Sequence, residues 1–384
     1  MRRIAIAVAV ALAGCAAPAG TPSGVPYLDD RGYRRSQLEA SLVDPQNGYS
    51  QLRLEEYALP SGGWDALPEW NPNAMALDVD PSDDAALQAL GEQAFFGYPV
   101  EIVPAQVGPA YGTWSDPTYG AGGLVAIDGG AIALSCASCH ASLRGGALVP
   151  GLGNERFDLG KLLVDGGTVA SENAPAYLAW GPGRVDVTTL QGSEPVRIPD
   201  LRAARWLGFL QADADVAQLD RDVLAIRLET LMITSHDELT RPPRIVALAL
   251  ASYLWSLADT LPALPPDSAR GAAVFAASCS GCHQAPALTG PPVALDVIGT
   301  DPTLGRSAVR GTGAYRVPSL HGVAQRALLL HDGSLASLDA LFDPARTDAS
   351  YTGGVRAGAV PGHLYGLDLS SSDRADLLAY LEAL

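Results

Sequence analysis

Cys136-Ala137-Ser138-Cys139-His140 and Cys279-Ser280-Gly281-Cys282-His283 are two copies of one pattern, Cys-x-x-Cys-His. Two thiols three residues apart lie on one side of a helical turn, where each can form a thioether with a porphyrin vinyl group. The His that follows is then held beneath the ring, with its imidazole placed to bind iron. The chain has only 5 Cys and 6 His in 384 residues, so two complete copies do not arise by chance. Zinc is the competing reading, because Cys-x-x-Cys pairs also bind zinc through thiolate or mixed Cys and His ligands. Zinc has no need of a His directly after each pair. The pentapeptides therefore predict two covalently bound haem c groups. Cys136, Cys139, Cys279 and Cys282 are the attachment points, and His140 and His283 are iron ligands.

The N-terminus points to the same cell compartment. Met1-Arg2-Arg3 is a short basic region, and the apolar run Ile4 to Ala13 is too short to span a bilayer. It ends in Leu12-Ala13-Gly14-Cys15, which resembles the lipobox of bacterial lipoproteins. By that resemblance, cleavage leaves a lipidated Cys15 on the periplasmic side of a bacterial membrane or at the cell surface. Acyl chains contribute about 0.8 kcal/mol per buried methylene, enough together for a stable anchor. One Cys goes to lipid and four to haem, which leaves none for a disulfide or a thiol nucleophile.

Composition is that of a globular protein, 48% hydrophobic and 17% charged. The apolar stretch Val246 to Leu257 reads as a buried helix. A net charge of −17 excludes nucleic acid as a partner and favours small redox proteins with a basic face.

Beyond a lipidated tether and an N-terminal extension, the chain describes one module twice. Each opens with Gly-x-x-x-Phe, Gly91 to Phe95 and Gly271 to Phe275, with Ser82 and Asp267 where helix N-caps are expected. The haem motif follows, after a Gly/Pro/Tyr-rich insertion at Tyr98 to Gly130 in the first copy. Next comes Arg-x-Pro-x-Leu, as Arg197 to Leu201 and Arg316 to Leu320. Each module closes in an apolar helix containing Tyr253-Leu254 or Tyr380-Leu381. The boundaries are 1–14 signal peptide, 15–80 tether and extension, 81–262 first module and 263–384 second module.

That register nominates the sixth iron ligands. Seventeen residues before Tyr253 lies His236, and seventeen before Tyr380 lies His363. Met232 competes for the first iron, Tyr365 for the second, and Met75 is a weaker candidate. Without His236 the first haem has an open face, with Trp180, Trp206 and Trp255 as candidates to line it or relay electrons. Trp206 and His236 are the candidates for a catalytic pocket there. A ligating His usually donates its other N–H to a carbonyl, and the carbonyls around Pro199 and Pro318 are placed for this. Arg197 and Arg316 are candidates to pair with haem propionates. His331-Asp332-Gly333 reads as a turn beside the second haem, with a degenerate counterpart at Gln211 to Asp215.

This layout resembles the di-haem cytochrome c peroxidase superfamily, with features of its rubber-oxygenase branch. The resemblance rests on both haem motifs, Arg316-Val317-Pro318-Ser319-Leu320, His331-Asp332-Gly333 and the segment Gly362-His363 to Leu369, and covers about residues 84–384. It implies a mainly α fold: two tandem cytochrome c-like helical domains, each enclosing one haem c, with irregular loops. It implies one haem for electron transfer and one for chemistry, that is, a peroxidase or oxygenase. The chain departs from the peroxidases in having no His shortly after the first haem motif and no Met after His331-Asp332-Gly333. A calcium ion between the modules, as in some relatives, is left open by the residues. The expectation is an exported, lipid-anchored di-haem cytochrome that passes electrons, with haem-based oxidoreductase activity placed at the first haem.

Overall fold

The computed structural model describes residues 23–103, 107–127, 129–186, 194–266 and 269–384. Cys15, the leader before it and Asp267 lie outside the described residues.

The repeat is visible in how the helices touch. In the first module the opening helix Asp84–Gly97 lies against the closing helix Arg244–Ser256. A Cβ added at Gly91 would stand 2.0 Å from the Ala249 carbonyl oxygen and 2.6 Å from the Tyr253 Cβ. Only glycine permits that approach. In the second module the helix Ala272–Ser278 meets the closing helix Ser371–Glu382. There a Cβ at Gly271 would lie 2.1 Å from the Asp376 carbonyl oxygen and 2.9 Å from the Tyr380 Cβ. The Phe of each motif then packs on the same Tyr, with ring centroids 5.4 Å apart for Phe95–Tyr253 and 5.3 Å for Phe275–Tyr380. The first helix is capped by Asp83, whose side chain accepts from the Ala85 and Ala86 amides. The expected cap, Ser82, instead donates to Asp80.

The first module is less purely helical than its sequence suggested. Helix accounts for 39% of the described residues, and many short strands join it. The insertion folds as an antiparallel sheet of Glu101–Val103, Ala131–Leu134 and Leu124–Ile127, with Ala131–Leu134 in the middle. Its Ile, Val and Leu residues suit a pleated, half-buried surface, and Gly129 and Gly130 supply positive φ at the turn. Directly after the first haem motif, Ala141–Arg144 and Ala147–Pro150 form a hairpin through Gly145-Gly146.

The N-terminal extension shares the first module's core. Its helices Arg31–Ser41 and Gly48–Ala58 bury Leu38, Tyr49 and Tyr57 beside Leu87, Phe95, Val246 and Leu250. The segment also joins the modules. The Val43 amide donates to Asp215 O at 2.9 Å, and the Tyr49 amide donates to Val309 O at 2.6 Å. A separate core under the second module gathers Phe275, Leu288, Leu335, Leu377 and Leu381. Among the described residues no helix is long and apolar enough to cross a membrane. The stretch from Val246 is the buried helix its composition predicted.

Candidate haem site

Both pentapeptides open onto one cavity of about 540 Å³, a volume typical of cofactor sites. All four motif cysteines line it with His140 and His283, and the thiols are unpaired. Burial pushes the Cys136 and Cys139 thiols up to about 12, so both are neutral at pH 7. Among the described residues no three of His, Cys, Asp and Glu gather into a cluster able to hold a bare metal ion.

Each motif histidine is fixed by a backbone carbonyl. His140 Nδ1 lies 3.0 Å from Pro199 O, and His283 Nδ1 lies 3.1 Å from Leu288 O. A carbonyl only accepts, so Nδ1 carries the proton and Nε2 keeps its lone pair for a metal. Burial depresses the His140 imidazole to about 4, which keeps it neutral. Pro199 is the carbonyl the sequence suggested. In the second module Leu288 takes the closer role, with Pro318 a further acceptor near the ring.

The arginines of the two Arg-x-Pro-x-Leu segments are exchanged between modules. Arg197 Nε donates to Leu330 O at 2.9 Å, and the Arg197 amide donates to His331 O at 2.9 Å. Reciprocally, Arg316 Nε donates to Gln211 O at 2.8 Å, and its amide to Ala212 O at 2.9 Å. Gln211 and Leu330 have φ of 61° and 65°, and Ala214 and Gly333 have φ of 58° and 67°. The turns are thus twins, each held by the other module's arginine. Among the described residues the Nη atoms of Arg197 and Arg316 make no hydrogen bond, and both side chains line the cavity. Burial, aggravated by the nearby Arg326, lowers Arg197 to about 9 and Arg316 to about 10. Buried cations with uncommitted donors call for an anion, and haem propionates have that chemistry.

The two ends of the cavity differ. His363 lines the second end at φ 45°. Burial, then the charge of His283, depress it to about 4, so the two imidazoles share that end. His363 Nδ1 is buried without a hydrogen-bond partner, an orphan that costs roughly 1–3 kcal/mol unless something in the cavity meets it. Tyr365 lines the wall beside it, with ring centroids 5.7 Å apart.

At the first end the wall includes Leu224, Arg227, Leu228, Leu231 and Ser235, one stripe of the helix Arg221–Ser235. His236 is the next residue, about 100° further round at 3.6 residues per turn, and it does not reach the cavity. Its ring packs on Trp70 at 4.3 Å and its Nδ1 lies 3.3 Å from Thr240 Oγ1. Met232 is buried in the main core, and Met75 and Trp255 pack against that core. Trp206 packs at a tilt against His321, with centroids 4.3 Å apart, and does not line the cavity, whereas Trp180 does.

The wall also holds residues that sequence reasoning passed over. Glu101, its carboxyl pushed up to about 8 by burial and by Asp237, sits on the insertion's edge strand. Tyr177, Asp186 and Arg326 line the wall as well. None of them falls in a repeated motif, and repetition was the signal in use.

The cytochrome c family profile matches residues 268–384. The methylamine utilization protein MauG of Methylorubrum extorquens is 26% identical over 235 residues, which cover 54% of this chain and 62% of that protein. The profile match places a cytochrome c domain at residues 268–384. A cytochrome c domain supports haem c as the cofactor, and the paired thiols, fixed imidazoles and uncommitted arginines fit that group. The chain spans somewhat under two thirds of the length of MauG. Among solved structures, a MauG-like protein associated with microbial copper homeostasis gives a TM-score of 0.38 at 21% identity, covering 53% of this chain and 78% of that one. The diheme peroxidase BthA from Burkholderia thailandensis E264 gives 0.37 at 18% identity, covering 82% and 88%.

Proposed function

We propose that the chain is an exported di-haem cytochrome in which the second haem carries electrons and the first is open to a small oxidant. The observation that carries this reading is the unequal pair of cavity ends. His283 is faced by His363, while among the described residues the helix Arg221–Ser235 lines the cavity with Leu224, Arg227, Leu228, Leu231 and Ser235, and neither His236 nor Met232 reaches it. Haem c, when bound, supplies one-electron redox chemistry, and its role follows from whether the sixth position is filled.

The chain's own residues do the rest. Pro199 and Leu288 carbonyls hold the two imidazoles in the metal-binding tautomer. Arg197 and Arg316 offer donors to propionates and link the two pockets through each other's turn. Leu224, Leu228 and Leu231 exclude water from the first pocket. The buried Glu101 carboxyl is placed at that pocket to hold a proton. Peroxide reduction or oxygen chemistry at the first haem is the second reading, favoured by the same absence of His236 and Met232 from the cavity wall. In this proposal Cys15 carries the lipid, and the charge of −17 steers a basic redox partner.

Mass spectrometry of protein matured in a cytochrome-competent host tests the reading. Two added haems and a lipidated N-terminus are expected, and a colourless product or a single haem overturns it. Ferric spectra should show one low-spin haem and one high-spin haem that binds cyanide.

A further inference from the structure

We infer that Arg346 is the positioning residue for His363, holding the imidazole over the second haem; this rests on reading His363 as the ligand there. Arg346 is 0% exposed. Its guanidinium makes four hydrogen bonds, all to backbone carbonyls: Nε to Leu341 O at 2.9 Å, Nη1 to Val360 O at 2.6 Å, and Nη2 to Gly362 O at 2.8 Å and His363 O at 2.7 Å. Among the described residues no carboxylate pairs with it.

A buried arginine spent wholly on carbonyls is an expensive way to tie a loop, because its charge is left without a partner. What it ties is the backbone on either side of one histidine. His363 sits at φ 45°, a conformation that a side chain with a Cβ adopts at a cost. The loop is fastened from the other side by the His363 amide donating to Ile298 O at 2.7 Å. A Cβ on Gly362 would lie 2.1 Å from the Thr300 amide nitrogen, so the loop seats directly on its neighbour. Together these contacts over-determine the carbonyl and amide of the residue whose ring enters the cavity.

The first module has no such device. In the register that aligns His236 with His363, the position of Arg346 is taken by Leu219, which is 53% exposed. The unclamped His236 is also the histidine that stays out of the cavity.

The test compares three variants by haem content and ferric spin state. Arg346→Gln should keep both haems attached but lose the low-spin signal of the second, as His363→Ala does, and added imidazole should restore that signal in both. A full low-spin signal in Arg346→Gln overturns the assignment of Arg346. A full low-spin signal in His363→Ala overturns the ligand reading instead, which keeps the two failures apart. Should Arg346→Gln not be recovered as folded protein, Arg346→Lys decides. Its second haem should bind cyanide faster than wild type, and an equal rate counts against the inference.

Discussion

The wall facing His283 and the wall facing His140 come from the same repeated module, yet only one presents the histidine of the shared register. The helix pairs beneath them are nearly superimposable in kind. Gly91 and Gly271 each press against a closing helix, and Phe95 and Phe275 each meet its tyrosine. The divergence begins above that frame, where one module places its histidine on a clamped loop and the other at the end of a helix. Duplication kept what close packing demands and released what chemistry distinguishes.

The shared frame gives the largest expected effect. Gly91→Ala and Gly271→Ala should each destabilise the protein, at the upper end of the about 1–3 kcal/mol seen for overpacked cores or beyond it. Gly271 should suffer more, because its φ of 87° also disfavours a side chain. Denaturant unfolding of the haem-loaded protein measures both, and a variant as stable as wild type breaks the equivalence.

Next is His363→Ala, which should make the second haem resemble the first. Electron paramagnetic resonance should show the low-spin signal lost, with a cyanide-binding high-spin signal in its place. His236→Ala is the paired control and should leave the spin states unchanged, since its ring lies against Trp70.

The exchanged arginines sharpen the comparison from another side. Replacing Arg197 or Arg316 by Gln removes a buried cation, which makes adding an electron harder and should lower the potential by roughly 50–100 mV. Spectroelectrochemistry should find both haems shifted by either change, because each arginine belongs to one module and grips the other. A shift confined to one haem argues against the shared seam.

The smallest effect lies in the paired turns. Where the second module has His331-Asp332-Gly333, the first has Ala212-Asp213-Ala214, with Asp215 next. Burial raises Asp213 to about 6, and burial with the charge of Asp213 raises Asp215 to about 8. Raised folded-state values favour the protonated pair, so the stability they contribute is full below the unfolded carboxylate value of 3.8 and is lost progressively as pH rises from there to about 8. The melting temperature should therefore fall over that window, and Asp215→Asn should flatten the decline.

The sequence carried a good deal of this site because much of it is local or repeated. Five consecutive residues specify a thioether pair and an imidazole, and the gapless register from Tyr380 led to a histidine on the cavity wall. The same register led to His236, where the backbone phase of one helix decided otherwise. A shift of a single residue turns a side chain by a quarter turn or more, and pattern matching has no access to that angle. The insertion's sheet was obscured by its glycines and prolines, which read as loop although Gly129 and Gly130 turn the hairpin. Glu101 and Arg346 could not be picked out at all. One depends on a strand pairing of Glu101 with Leu134, the other on carbonyls gathered from the end of the helix Leu338–Leu341 and from the stretch Val360 to His363.

The crosswise grip of Arg197 and Arg316 has a consequence for any attempt to divide the protein. Cut out residues 268–384, the portion that matches the cytochrome c family, and Arg316 parts from the Gln211 carbonyl while the Leu330 carbonyl loses its own donor. A miniature electron carrier excised this way should emerge with a loosened rim, and re-adding the missing half in trans should tighten it.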